Sequence, residues 1–433
     1  MLARARSQDK PNVQHKNVPY FLSKEKVSKV GLSNIMTSKR ITGKYKLCSE
    51  KYDPFRAFIP FPLPPEPPIE LNDEICDLME KANRALGRLD GVTSLLPDTY
   101  LFTYFYVRKE ALLSSQIEGT QSSLQELLLF EMEEAPGAPL DDVLEVSNYV
   151  RAMDYGLQSI RGSGRIPLSL RLLQEVHGIL LKKGRGSNKT PGEFRIAQNW
   201  VGGTKPSDAV YVGPPVEELM GCLDAFEKFL YDKPVRTPVL IKAALAHVQF
   251  ETIHPFQDGN GRLGRLLVTL LLCSEEALKE PMLYLSLYFK SHRDEYYSRL
   301  QSVRENGDWE GWLRFFLTGV LETAQQAVAA AQAILRLFDV DKRRIATLGQ
   351  QANSILRVHD ILQIRPVISA SIARKLLEAK GMPLSEPTVY AAIGNLEKLG
   401  IMREVTGKER NRIYAYREYM SILDEGTQPI PQS

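Results

Sequence analysis

The run "HPFQDGNGRLGR", His254 to Arg265, decides how this chain is read. Glycines on both sides of Asn260 do not suit a helix interior, and two arginines do not suit a core strand. Gly259 and Gly261 allow backbone angles that side chains forbid, so successive amides can converge on an anion. The next residues, "RLGRLLVTLLL", read as a helix whose free N–H groups and dipole add to that site. Arg262 and Arg265 stand three apart and share one helical face, where two guanidiniums suit several phosphate oxygens. Asp258 is a hard oxygen ligand placed to hold Mg²⁺ beside those phosphates. His254 can serve as general base near neutral pH. Pro255 and the glycines put His254 and Asp258 on a loop. The set fits metal-assisted transfer onto a hydroxyl from a polyphosphate donor.

Other readings of the same letters fail on context. "GNGRLG" matches GxGxxG, but that fingerprint needs a preceding strand, and "LIKAALAHVQF" before it is helical and Ala-rich. No GxxxxGK[ST] occurs, so a P-loop is excluded. His247 and His254 have no common zinc spacing, and His247 reads as a structural residue on a mostly apolar helix.

The 433 residues allow more than one domain, and 43% hydrophobic with 25% charged residues allows a sizeable core. A formal net charge of +3 names no partner. Cys48, Cys76, Cys222 and Cys273 lie far apart with no CxxC, which suits a reducing cytosol. The longest apolar run, Leu266 to Cys273, is too short to span a bilayer, and no apolar stretch follows the basic start. A cytoplasmic protein without membrane contact is expected.

Residues 1–53, rich in Lys and Ser, read as a disordered basic tail. "PFRAFIPFPLPPEPPIE", Pro54 to Glu70, reads as an extended arm packed along the next domain. Helical periodicity then dominates to about residue 349. The exception is "NWVGGTKPSDAVYVGPP", Asn199 to Pro215, where two β-prone pieces flank a turn. From about Asn353 the pattern is three short helices and a hairpin. Ser385 is the N-cap and Gly400 the stop of the third helix, "SEPTVYAAIGNLEKLG". That is the order of a winged helix-turn-helix.

"HPFQDGNGRLGR" resembles the motif of Fic-domain proteins, HxFx[DE]GNGRxxR, with agreement at every specified position. The resemblance runs from about Pro54 to Glu322. It implies a mainly α fold: a Fic helical bundle with a small β-hairpin flap, followed here by the winged helix. The expected segments are a 1–53 tail, a 54–140 arm with an N-terminal inhibitory-helix region, a 141–349 catalytic domain and a 350–433 winged helix. The implied activity is transfer of AMP from ATP to a Ser, Thr or Tyr hydroxyl of a protein. His254 then resembles the base, Phe256 a core anchor and Asp258 the Mg²⁺ ligand. Gly259, Asn260, Gly261, Arg262, Leu263, Gly264 and Arg265 resemble the ATP cradle, and Tyr297 an adenine contact. Val201, Gly202, Gly203, Val210, Tyr211 and Val212 resemble the flap that aligns a target segment by β-addition.

Beside that motif, "SSQIEG" resembles the inhibitory pattern [ST]xxxE[GN], with Ser114, Glu118 and Gly119 at its specified positions. The resemblance implies that Glu118 pairs with Arg265 and denies it to the γ-phosphate of ATP. In some relatives such a Glu instead positions water to remove AMP. A homodimer that reinforces inhibition is implied by the resemblance alone. On the third C-terminal helix, Tyr390 and Asn395 could meet base edges, and Lys408, Arg410 and Arg412 would lie near the wing. DNA binding and protein docking both stay open for this module. A DNA-binding regulator with a nucleotide-sensing domain, and an enzyme that removes AMP or transfers another phosphate-bearing group, stand as the alternatives.

Overall fold

The computed structural model describes residues 40–50, 53–95, 99–131, 140–161 and 166–430. Most of the expected N-terminal tail lies outside them. Its last residues are ordered: β1 (Gly43–Glu50) pairs antiparallel with β2 (Asp53–Pro60), from Gly43 opposite Pro60 to Glu50 opposite Asp53. The boundary at residue 53 is therefore corrected. The buried apolar residues of the hairpin lie on β2, at Phe55, Ala57, Phe58 and Ile59, while Tyr45 and Leu47 of β1 stay exposed. Of the stretch read as an extended arm, residues 54–60 belong to β2, which corrects that reading, and the proline-rich remainder packs along the helix Val239–Ile253. Gln249 Nε2 donates to the Phe61 carbonyl at 2.9 Å, and Leu63 is buried.

Among the described residues, eight helices lead up to and include the one that carries the end of the central motif: α1 (Asp73–Leu95), α2 (Thr99–Ile117), α3 (Leu124–Phe130), α4 (Leu140–Arg161), α5 (Leu170–Leu180), α6 (Val216–Leu230), α7 (Val239–Ile253) and α8 (Asn260–Ser274). The expected hairpin lies between α5 and α6 as β3 (Trp200–Val201) and β4 (Tyr211–Val212). Helix α7 is buried all round, from Leu240 to Ile253, and packs against α8, which is nearly as enclosed. A helix apolar on every face belongs in the middle of a bundle. Placing α7 and α8 there puts the connection between them, residues 254–259, at the bundle's centre rather than on an outer turn.

Helix α3 begins with a capping box. Ser123 Oγ accepts from the Glu126 amide, and the Glu126 carboxylate accepts from the Ser123 amide at 2.7 Å. It follows a break after Gly119 (φ +102°), so the stretch read as one helical region is α2 and α3.

Helices α9 (Ser286–Ser291) and α10 (Arg293–Asn306) lead into α11 (Trp309–Ala346), which is 38 residues long. At the usual rise it spans about 57 Å. Its first half packs on α1, α7, α9 and α10, with Trp312 Nε1 donating to the Ala244 carbonyl of α7 at 2.9 Å. Its second half carries the C-terminal elements: α12 (Ala352–Ile364), β5 (Val367–Ser369), α13 (Ala370–Ala379), α14 (Glu386–Lys398), β6 (Met402–Glu404), β7 (Ile413–Tyr416) and α15 (Arg417–Leu423). Ser385 caps α14 as read from the sequence, and Gly400 takes φ +70°. The three strands form one antiparallel sheet in the order β5-β7-β6. The third strand, β5, was not legible because three buried residues carry no alternation.

Candidate active site

His254 ends α7 in the left-handed region (φ 50°, ψ 60°), a conformation a non-glycine residue holds only when its surroundings impose it. Here they do. Its carbonyl accepts from Arg195 Nε and Asn199 Nδ2, both at 3.0 Å. Asn199 Nδ2 also donates to the Phe256 carbonyl at 2.8 Å, and the Arg195 amide donates to the Pro255 carbonyl at 2.9 Å. The imidazole Nδ1 lies 3.3 Å from the Glu251 carbonyl, an acceptor, so the ring proton belongs on Nδ1 and Nε2 keeps a free lone pair. Burial, then the nearby Arg304 charge, pushes this imidazole down to about 4. It is a neutral base at physiological pH.

The loop is held from below by His177. Its Nε2 donates to the Asp258 carbonyl at 2.9 Å, its Nδ1 accepts from the Gly192 amide at 2.9 Å, and its ring stacks on Phe256 at 3.8 Å. Phe256 is fully buried, as the anchor role requires. Asn260 closes the turn on itself: Oδ1 accepts from the Phe256 amide at 2.9 Å and Nδ2 donates to the Phe256 carbonyl at 2.8 Å. Both ends of that amide are engaged within the loop. The side chain thus shapes the backbone of the turn.

Gly259 is left-handed (φ +78°), as expected of a loop glycine. Gly261 is not. It lies in the first turn of α8, and a Cβ there would sit 2.3 Å from Glu118 Oε1. Its lack of a side chain keeps room for a carboxylate, or for a phosphate in the same place. Leu263 and Gly264 lie in the contact of α8 with its neighbours. Leu263 is fully buried, and a Cβ on Gly264 would meet Glu251 and Phe250 of α7. Both positions serve close packing of α8 on α7.

The two motif arginines have different partners. Arg262 NH1 lies 2.6 Å from Glu145 Oε1 on α4, and NH2 lies 3.4 Å from Asp258 Oδ1. Arg262 is buried, and its Nε has no hydrogen-bond partner among the described residues. Arg265 donates from Nε to Ser114 Oγ at 2.8 Å, and from NH2 to the Ser114 carbonyl at 2.9 Å and Glu118 Oε1 at 2.7 Å. Burial pushes the Glu118 carboxyl up, but the Arg265 charge, with Arg262 and Arg185 behind it, holds it below the ordinary value. The carboxylate is ionised and the pair is charge-assisted. Arg185 adds contacts from NH1 and NH2 to the Glu118 carbonyl at 3.2 and 3.3 Å.

One cavity of about 130 Å³ collects His254, Gly261, Arg265, Glu118, Tyr297 and Val201 of the sequence-read residues, with Glu251, Tyr296, Leu300 and Arg304. Tyr297 is 39% exposed, whereas Tyr296 is buried and its hydroxyl meets His247 Nε2 at 2.8 Å. His247 Nδ1 lies 2.9 Å from the Gly264 carbonyl, so this histidine has the structural role read for it. At the cavity's rim, the flap pairs Val201 with Tyr211 and Trp200 with Val212. Gly202 and Gly203 turn the chain with φ +70° each. The Tyr211 hydroxyl donates to the Thr252 carbonyl and roots the flap on α7, while Val210 is 70% exposed.

Asp258 Oδ1 accepts from the Gly259 amide at 2.6 Å, and the side chain remains 30% exposed. A single, partly exposed hard carboxylate suits Mg²⁺, which takes one or two protein carboxylates and further oxygen ligands. The donor set therefore fits that ion.

Residues 76–158 match the family model described as Fic/DOC family N-terminal, and residues 167–272 match that of the Fic/DOC family. These two stretches are similar to the Fic/DOC family. The chain's curated relatives include proteins called "Protein adenylyltransferase Fic". The one from Culex quinquefasciatus is 34% identical over 201 residues, covering 46% of this chain and 37% of that protein. The one from Aedes aegypti is 32% identical over 202 residues, with the same coverage. The match thus spans little more than a third of those relatives' length. The crystal structure of a Fic family protein from Desulfovibrio desulfuricans G20 superposes with a TM-score of 0.53 at 18% identity, over 81% of this chain and 98% of that one. It speaks for the fold.

Around the Fic motif, Arg195, Asn199, His177, Glu145, Arg185 and Glu251 were not singled out in the sequence. Glu251 precedes the motif on α7 without a recognisable pattern, and the others are distant in the chain, on α4, on α5 and in the turns after α5.

Proposed function

We propose that this chain is a protein adenylyltransferase held in an inhibited state by its own Glu118. The observation that carries the reading is one cavity holding a neutral His254 with a free Nε2 and an Arg265 already occupied by Glu118 and Ser114. ATP lays its phosphates along the start of α8, toward Arg262 and Arg265. Asp258 would hold Mg²⁺, which supplies charge neutralisation at the phosphate oxygens. A target hydroxyl gives its proton to His254 Nε2 while its oxygen bonds to the α-phosphorus. The bond from that phosphorus to the bridging oxygen breaks, and pyrophosphate leaves. The exposed Val210 and Trp200 of the flap support a target segment added as a strand.

With Glu118 on Arg265, the γ-phosphate loses its partner and the α-phosphorus is not presented to the hydroxyl. A charge-assisted bond to a buried guanidinium is worth roughly 1.5–3 kcal/mol, enough to keep most molecules off. The C-terminal elements are read as a winged helix that positions targets. Their helix, strand, helix, helix, strand, strand order supports this, with Tyr390 of α14 52% exposed. No helix among the described residues is long and apolar enough to cross a membrane.

The test is labelling with ATP carrying a radioactive α-phosphate, in Mg²⁺, followed by mass spectrometry for the mass of AMP. Glu118→Gly is expected to label itself at least roughly tenfold more than the parent chain. Adding His254→Ala to it should remove transfer while ATP binding, by calorimetry, stays near the parent value. Equal labelling by the parent and Glu118→Gly would reject the inhibitory role. Transfer that survives His254→Ala would reject the base.

A further inference from the structure

Glu118 does not hold Arg265 unaided. Ser114 and Glu118 are four residues apart at the end of α2 and face Arg265 together. Gln116, two residues from each, turns to the other side and is 1% exposed. Its amide nitrogen donates to the Thr427 carbonyl at 2.7 Å and to the Ser122 carbonyl at 3.0 Å. Its amide oxygen accepts from Lys290 Nζ on α9 at 2.7 Å. Lys290 Nζ also donates to the Gly426 carbonyl at 3.1 Å and to the Gln428 carbonyl.

An ammonium has three donors, and these are three acceptors. Two of the three belong to the C-terminal tail. No carboxylate is among the hydrogen-bond partners, and burial pushes the Lys290 amine down to about 8 despite Asp424 nearby. Without the tail, this half-buried charge keeps one partner of three. The tail itself is a compact plug. Thr427 is buried, and its hydroxyl and amide both donate to the Asp424 carbonyl. Gln121 Nε2 donates to the Ile430 carbonyl at 3.5 Å, just past the inhibitory run. The other side of the plug continues into α15, whose Tyr419 ring meets Phe105 of α2 at 5.7 Å.

We propose that residues Asp424–Ile430 are a latch on the inhibitory segment, with Gln116 and Lys290 as positioning residues, so that the C-terminal module sets whether Glu118 holds Arg265. The end of α2 is clamped between Arg265 on one face and the tail on the other. Withdrawing the tail frees the turn that places Glu118, and a partner that moves α15 would do so. The proposal rests on the inhibitory reading of Glu118.

The experiment uses the otherwise intact chain in two variants, Lys290→Met and a chain ended after Glu425, with Glu118→Gly as reference. Thermal melting first shows that each variant is folded. Hydrogen exchange in residues 114–121 is then measured together with self-labelling by ATP and Mg²⁺. The latch predicts faster exchange in that segment and on the order of tenfold more labelling than the parent, with no further gain in the Glu118→Gly background. Unchanged exchange in folded variants overturns the latch. So does faster exchange without added labelling while Glu118→Gly labels strongly. Should Glu118→Gly itself not label, the functional reading fails, and the exchange result alone still decides the latch.

Discussion

His254 shows how one residue acquires its chemistry from its surroundings. Its sequence neighbours make it the last residue of a helix. Its left-handed backbone and its proton on Nδ1 come from Arg195, Asn199 and the Glu251 carbonyl. Burial lowers its affinity for a proton because the charged form loses solvation. The folded-state value lies near 4, below the ordinary value of 6.5, so the neutral base is the form present above about pH 4. Transfer by Glu118→Gly is therefore expected to hold its plateau down to about pH 5 and to fall as pH drops toward 4. Initial rates across a pH series check this. A half-maximum near 6.5 would mean that the imidazole is not desolvated in the working state.

At the scale of elements, the turn at residues 254–259 depends on how α7 and α8 are brought side by side and on what covers them. The β1–β2 hairpin and the arm after it form part of that cover. They are pinned at Arg40, which donates to Gly307 at the end of α10 and pairs with Glu310 of α11 at 2.8 Å. Gly307 has φ +68°, and a Cβ on it would lie 2.3 Å from the Arg40 carbonyl oxygen. Neither problem can be relieved by a rotamer, because the obstacle is backbone. Gly307→Ala should cost about 2 kcal/mol of stability, read as a lower thermal midpoint. A matched substitution at Gly349 is the control, since a Cβ there meets nothing within 4 Å although φ is also positive.

Over the whole molecule, α11 is the shared beam between the catalytic bundle and the C-terminal elements. Its Asp341 is buried and accepts from the Tyr416 hydroxyl of β7 at 2.8 Å, with Arg344 NH1 at 2.7 Å on its other oxygen. The same hydroxyl lies 3.1 Å from His359 Nε2 of α12. Tyr416 thus ties strand, helix and beam through one oxygen. Tyr416→Phe keeps the ring contacts with Phe338 and Tyr419 and removes only that oxygen. It should lower stability by roughly 1–3 kcal/mol, because Asp341 and His359 are left buried with fewer partners. Denaturant melts of the two chains measure it.

The sequence by itself made residues 254–265 legible as a candidate polyphosphate site, because those residue types are contiguous. A left-handed glycine, a helix start, a base and two arginines need only their neighbours to be recognised. It also placed the helices, since their apolar periodicity is local, and it picked Glu118 through a short pattern. What only the tertiary structure decided is which groups meet. Arg265 reaches Ser114 and Glu118 across about 150 residues of chain, Arg262 reaches Glu145, and His177 props the loop from α5. The strand 43–50 was hidden because it is polar and mostly exposed, while the buried apolar residues of the hairpin lie on its partner strand. The tail at Thr427 was hidden for a stronger reason. It contributes backbone carbonyls to Gln116 and Lys290, and a carbonyl leaves no mark on the identity of its own residue.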